Sequence, residues 1–145
     1  MVTRIAIAGL LLAGMAACTP AGRCTKGSEL VPSMCPLKLP AITGVTIREN
    51  AAIAPAETNP AVSCTSFRVR EEDVRRYFAR ARLTNANDAH HTLDWSPCYA
   101  SGEVTFADGR TGGWTVSQLR TGSLVIGTDQ PMVLYCPDCD FSPFQ

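Results

Sequence analysis

Three groups of residues in this 145-residue chain have types and spacings that could do chemistry. The first is the cysteine set, Cys18, Cys24, Cys35, Cys64, Cys98, Cys136 and Cys139. Within it, Cys136-Pro137-Asp138-Cys139 has the spacing of a redox dithiol. Such a dithiol needs a following helix whose N-terminus lowers a thiol pKa. Only Asp140-Phe141-Ser142-Pro143-Phe144-Gln145 follows, which is too short and too interrupted by proline to supply one. A zinc knuckle would need a second closely spaced pair, and Cys24 and Cys35 are too far apart to make one. A structural disulfide is therefore the expectation for these two sulfurs.

The second group is His90-His91, flanked by Asp88 and Asp94. Imidazole with carboxylate can bind a transition metal or move protons. Adjacent side chains on an extended segment point opposite ways, so both rings rarely reach one ion. A polar loop joining helix to sheet is expected here, with no metal site. No Gly-x-Ser-x-Gly is present and no other arrangement of nucleophile and base stands out, so no catalytic residue is assigned and no cofactor is implied. The third group is the basic stretch Arg68 to Arg82 together with Trp95. Arg75, Arg76 and Arg80 fall on the polar side of the expected helix, as a solvated face with Glu71/Arg75 and Glu72/Arg76 pairs or as a docking patch. Trp95, beside a turn, is the other candidate for partner binding.

The N-terminus decides how these groups are read. Arg4 precedes the apolar run Ile5–Ala13, which is too short to span a bilayer, and Met15-Ala16-Ala17-Cys18 follows. Charge, apolar run and small residues before a cysteine resemble the lipobox signal of bacterial lipoproteins. Met15 stands where an aliphatic leucine is usual. The resemblance covers residues 1–18 and implies removal of 1–17 and acylation of Cys18. Two or three acyl chains, at about 0.8 kcal/mol per buried methylene, would hold the protein on a membrane almost permanently. Thr19 after the cysteine, where aspartate is the usual inner-membrane retention signal, implies an outer membrane facing the periplasm.

Setting Cys18 aside leaves six sulfurs in an oxidising space, and an even count there reads as a disulfide framework. A local Cys24–Cys35 bridge is plausible, and the pairing of the rest is open among the possible connectivities. Arg4 is the only charged residue ahead of Cys18, so the mature part carries 12 basic and 13 acidic residues. That near balance gives no general pull toward nucleic acid or anionic lipid. The hydrophobic fraction of 46% fits one globular core rather than disorder.

The positioning elements follow from periodicity. Residues 18–63, rich in Pro, Ala and Thr, read as a tether, with one possible short strand over Ile42–Ile47. A compact domain is expected over 64–145. It starts with a strand Thr65–Val69 and a helix Glu71–Leu83 whose Val74, Tyr77, Phe78 and Ala81 make one stripe. From Cys98 the period becomes two, giving strands Cys98–Phe106, Gly113–Leu119, Leu124–Ile126 and Met132–Cys136 joined by short turns. The expected fold is α+β, one amphipathic helix packed on a four-stranded antiparallel meander and stapled by disulfides. In size, anchor and disulfide content the chain is similar to small periplasmic lipoproteins that bind or inhibit other proteins, including lysozyme inhibitors and immunity proteins. That resemblance implies a non-enzymatic protein binder. The alternatives are a structural envelope lipoprotein, or a small hydrolase or metal-binding protein using the His90/His91 loop.

Overall fold

A computed structural model describes residues 22–145; Cys18 and the segment before it lie outside the described residues. The strands are β1 (Cys35–Pro36), β2 (Ile42–Ile53), β3 (Arg82–Thr84), β4 (Cys98–Phe106), β5 (Thr111–Ser117), β6 (Thr121–Ile126) and β7 (Met132–Tyr135). The helices are α1 (Glu71–Arg80) and α2 (Ala86–Thr92). All seven strands form one antiparallel sheet in the order β1-β3-β7-β6-β5-β4-β2. Among the described residues no helix is long and apolar enough to cross a membrane.

This corrects the expected fold of one helix on four strands. The β4–β7 meander is only the middle of the sheet, and three more strands and a second helix extend it. The expected tether over 18–63 is corrected as well, because Ile42–Ile53 is a full edge strand paired with β4 from Ile42↔Phe106 to Ile53↔Cys98. Register shifts after Ile42, Ile47 and Glu49 put bulges in this strand. Each bulge turns the following side chains to the other face, so no period of two survives in the sequence. The expected strand Thr65–Val69 is a turn and an extended segment. Phe67 N–H donates to the Cys64 carbonyl, and the Asn50 side chain bonds both backbone groups of Val69, at 2.8 and 2.9 Å. The expected helix Glu71–Leu83 stops at Arg80, where Ala81 turns to ψ 150° and releases Arg82–Thr84 to pair with β7.

One face of the sheet carries the core. Along β4, Cys98, Ala100, Val104 and Phe106 are buried, and Val116, Leu124 and Leu134 continue that face across β5, β6 and β7. The α1 stripe Val74, Tyr77 and Phe78 packs here. Tyr77 stacks on Phe144 at 5.4 Å between centroids, and its hydroxyl donates to the Arg120 carbonyl at 3.1 Å. Full burial pushes its phenol pKa far up. Two glycines make this packing possible. A Cβ at Gly122 would sit 2.7 Å from the Tyr77 hydroxyl, and one at Gly102 would sit 2.8 Å from the Trp114 ring. Trp114 is core, with its Nε1 buried and unpartnered.

The start of α1 is fixed by an unexpected device. Arg70 stands at the N-cap and has no side-chain acceptor to offer. Asp73 works backwards instead. Its Oδ2 accepts from the Arg70 backbone N–H at 2.9 Å, and both its oxygens accept from the Arg70 guanidinium at 3.1 Å. Burial works to raise the Asp73 carboxyl pKa. The hydrogen bonds from Arg70 and the charges of Arg70 and Arg76 outweigh burial and hold it below the usual carboxylate range.

The six sulfurs pair as Cys24–Cys35, Cys64–Cys98 and Cys136–Cys139. Cys136 and Cys139 are fully buried in the core and bonded to each other.

Candidate functional site

The other face of the sheet is built from polar residues at the alternate positions. Tyr99, Ser101 and Glu103 of β4 lie beside Thr115 and Ser117 of β5 and Thr121 and Ser123 of β6. Some of these groups satisfy one another. Tyr99 and Ser101 donate to the two oxygens of Glu49 at 3.0 and 2.7 Å, and Arg48 pairs with Glu103 at 2.8 Å. The hydrogen bond to Glu49 raises the Tyr99 phenol above its ordinary value, because it favours the protonated form. The hydroxyls of Ser117 and Thr121 share a hydrogen bond of 2.6 Å.

Over one part of this face stands α2, where a loop was expected. Asn85 caps it, its side chain accepting from the Asp88 N–H at 2.7 Å, and no α2 side chain is buried. A polar clasp holds the helix in place. Asp88 Oδ2 accepts from the backbone N–H of Ser33 at 3.1 Å and from the Ser33 hydroxyl, and Asn85 Nδ2 donates to that hydroxyl at 3.2 Å. Hydrogen bonds from the Ser33 side chain and backbone, then from Asn85, hold the Asp88 carboxyl below its ordinary range.

Between α2, the segment after it and the sheet lies a hollow of about 610 Å³. Its walls are His90, Leu93, Asp94 and Trp95, and its floor includes Thr115 and Ser123. Trp95 is 64% exposed. The structure thus brings His90, Asp94 and Trp95 to one groove and separates the other members of the histidine cluster from it. His91 is exposed, with Nδ1 2.7 Å from the Asn87 carbonyl, so that nitrogen carries the proton it donates. Asp88 is occupied by Ser33. Among the described residues no hydrogen bond or ion pair joins His90 to Asp94, and no three His, Cys, Asp or Glu side chains gather as a metal site. The groove offers an aromatic rim, one imidazole, one carboxylate and a floor of hydroxyls. That set suits contact and hydrogen bonding.

The arginine patch is placed differently. Arg75 donates to the carbonyls of Ile42 and Thr43 at 2.8 and 3.4 Å, bracing α1 against β2. Arg76 lies over the Phe141 ring at 3.8 Å, and Arg80 reaches the Asp138 carbonyl at 2.9 Å. The anticipated Glu71/Arg75 and Glu72/Arg76 pairs are replaced by these contacts; the ion pairs among the described residues are Arg48–Glu103, Arg70–Asp73 and Arg110–Asp108. Sequence reasoning missed the sheet floor, Thr115 and Ser123. The signal was there, as Thr and Ser alternate with buried positions in both strands.

Comparison with protein-family models, curated proteins and solved structures finds no match to this chain.

Proposed function

We propose that the chain is a non-enzymatic, lipid-anchored envelope protein that holds a protein partner on the outer face of its sheet. The observation that carries this reading is the groove beneath α2, open to solvent, with the hydroxyls of Thr115 and Ser123 on its floor and His90 and Asp94 on its wall to meet a partner's polar groups. The lipobox-like N-terminus and the three disulfides support an extracytoplasmic setting. An inhibitor or immunity protein is the form of binder best suited to this size.

Cross-linking the full chain in intact envelopes tests the reading. A discrete complex is expected, and Thr115→Arg with Ser123→Arg, both on the sheet surface, should abolish it while leaving the thermal transition in place. A complex that survives both changes would move the interface elsewhere. No complex at all in envelopes would end the binding reading. Palmitate labelling lost in Cys18→Ser tests the anchor separately.

A hydrolase on His90 and Asp94 is the second reading, favoured only by their shared groove. It requires a turnover that His90→Ala removes.

A further inference from the structure

We propose that the corner carrying Leu30, Val31 and Trp95 rests on the bilayer that holds Cys18, with these side chains at the headgroup–acyl boundary. This rests on the lipid-anchor reading above. The described chain leaves four large apolar side chains exposed: Leu30 at 83%, Val31 at 44%, Trp95 at 64%, and Ile53. Three of them gather at one corner. Leu30 and Trp95 line neighbouring hollows that share Leu93 and Asp94 as a common wall, and Val31 follows Leu30 directly.

The loop of this corner is closed by a covalent bond and by its own backbone. Cys24–Cys35 closes the loop, Thr25 and Met34 exchange backbone hydrogen bonds at 2.7 and 3.1 Å, and Ser28 N–H donates to Val31 at 2.8 Å across the tip. The Ser33–Asp88 clasp ties this loop to α2, which leads on to Leu93 and Trp95. Two aliphatic side chains on a disulfide-closed loop and an indole present apolar area at a lower backbone ordering cost than an open loop would.

The position of the chain's entry selects a lipid surface as the occupant. The Arg23 carbonyl accepts from Arg82 at 3.1 Å, and Arg82 pairs with Tyr135, which lines the same hollow as Leu30. The described chain therefore begins at the base of the loop whose tip carries Leu30 and Val31. Cys18 is four residues before Gly22, a reach of at most about 14 Å even when fully extended. An acylated Cys18 sits at the membrane surface, so the domain is held with this side toward the lipid. Leu with Trp is the pairing that partitions into the interfacial region, and the exposed loop charges Lys26 and Glu29 balance, so the apolar side chains carry the contact.

The experiment uses the chain from Cys18 onward, coupled through that thiol to a maleimide lipid in vesicles of phosphatidylethanolamine and phosphatidylglycerol. The other six cysteines are paired, so the coupling is specific. Because the lipid is attached chemically, the result does not depend on native acylation, which palmitate labelling reports on its own. Trp95 emission should shift to the blue, and acrylamide quenching should fall about threefold against the uncoupled chain. Bromination of the acyl chains should dim the same emission. The signal should vanish in Trp95→Phe, since Trp114 is buried, and return toward the uncoupled value in Leu30→Glu with Val31→Glu. Equal quenching of coupled and uncoupled chains, or a shift indifferent to the Leu30 and Val31 changes, would overturn the proposal.

Discussion

The two helices of this protein are fastened by opposite means. Helix α1 buries Val74, Tyr77 and Phe78 in the core and anchors its first turn through buried Asp73. Helix α2 buries nothing and is held by side-chain hydrogen bonds from Ser33 and by the Asn85 cap. The comparison teaches that α1 is part of what folds the domain, whereas α2 is an attachment that shapes the groove. Apolar burial is worth kilocalories and is indifferent to mild acid. A clasp of exposed polar groups is weak, local and sensitive to the charge of one carboxylate.

The contrast can be broken first at Tyr77. Tyr77→Ala should cost about 3–5 kcal/mol in urea unfolding, since it empties a site stacked on Phe144 and removes one of the two hydrogen bonds to the Arg120 carbonyl, leaving that from Cys136 N–H. A loss below about 1 kcal/mol would show that α1 is no more integral than α2. Next comes Asp73→Asn, expected to cost about 1–3 kcal/mol through the hydrogen bonds from Arg70. The folded carboxyl titrates below its ordinary range, so its contribution is complete above roughly pH 4 and is lost as acid carries the pH down through the folded value. Acid unfolding should therefore be less steep in the Asn variant, and an unchanged pH profile would remove Asp73 from that role.

The smallest effect belongs to Asp88→Asn. Global stability should barely move, while amide exchange over residues 86–92 should accelerate and that over 71–80 should not. The depressed Asp88 carboxyl gives the same acid direction: the clasp holds above the ordinary carboxylate range and loosens as pH falls through the folded value. Equal acceleration in both helices would mean that they open as one unit.

What the sequence disclosed follows the same division. The α1 stripe at Val74, Tyr77, Phe78 and Ala81 and the alternation from Cys98 to Phe106 are imprints of burial, and burial leaves a period. Edge strand β2 left none, because its bulges at Thr43, Arg48 and Asn50–Ala51 reset the alternation, and proline on either side made the segment resemble a tether. The proline-free window from 41 to 54 is the trace it did leave. Strand β3 was hidden because Leu83 serves the sheet core while continuing a helical run from Ala81. Helix α2 has no apolar stripe, and its one local sign is Asn85 three residues before Asp88. Of the site residues, Trp95, His90 and Asp94 drew attention by type alone. Their convergence depends on α2 crossing the sheet, which long-range contacts decide. Arg75, Arg76 and Arg80 drew attention by charge, and their backbone and aromatic partners lie 32 to 65 positions away.

The bond between Cys24 and Cys35 also sets the path of mechanical load. Any tension drawn through the N-terminal lead passes from sulfur to sulfur, across an 11-residue separation, and enters the domain at the Cys35↔Leu83 pair. Residues 25–34 hang outside that path as a slack side branch. A tug on the anchor is thus borne by the sheet, and the tip with Leu30 keeps its shape while the rest of the molecule is pulled.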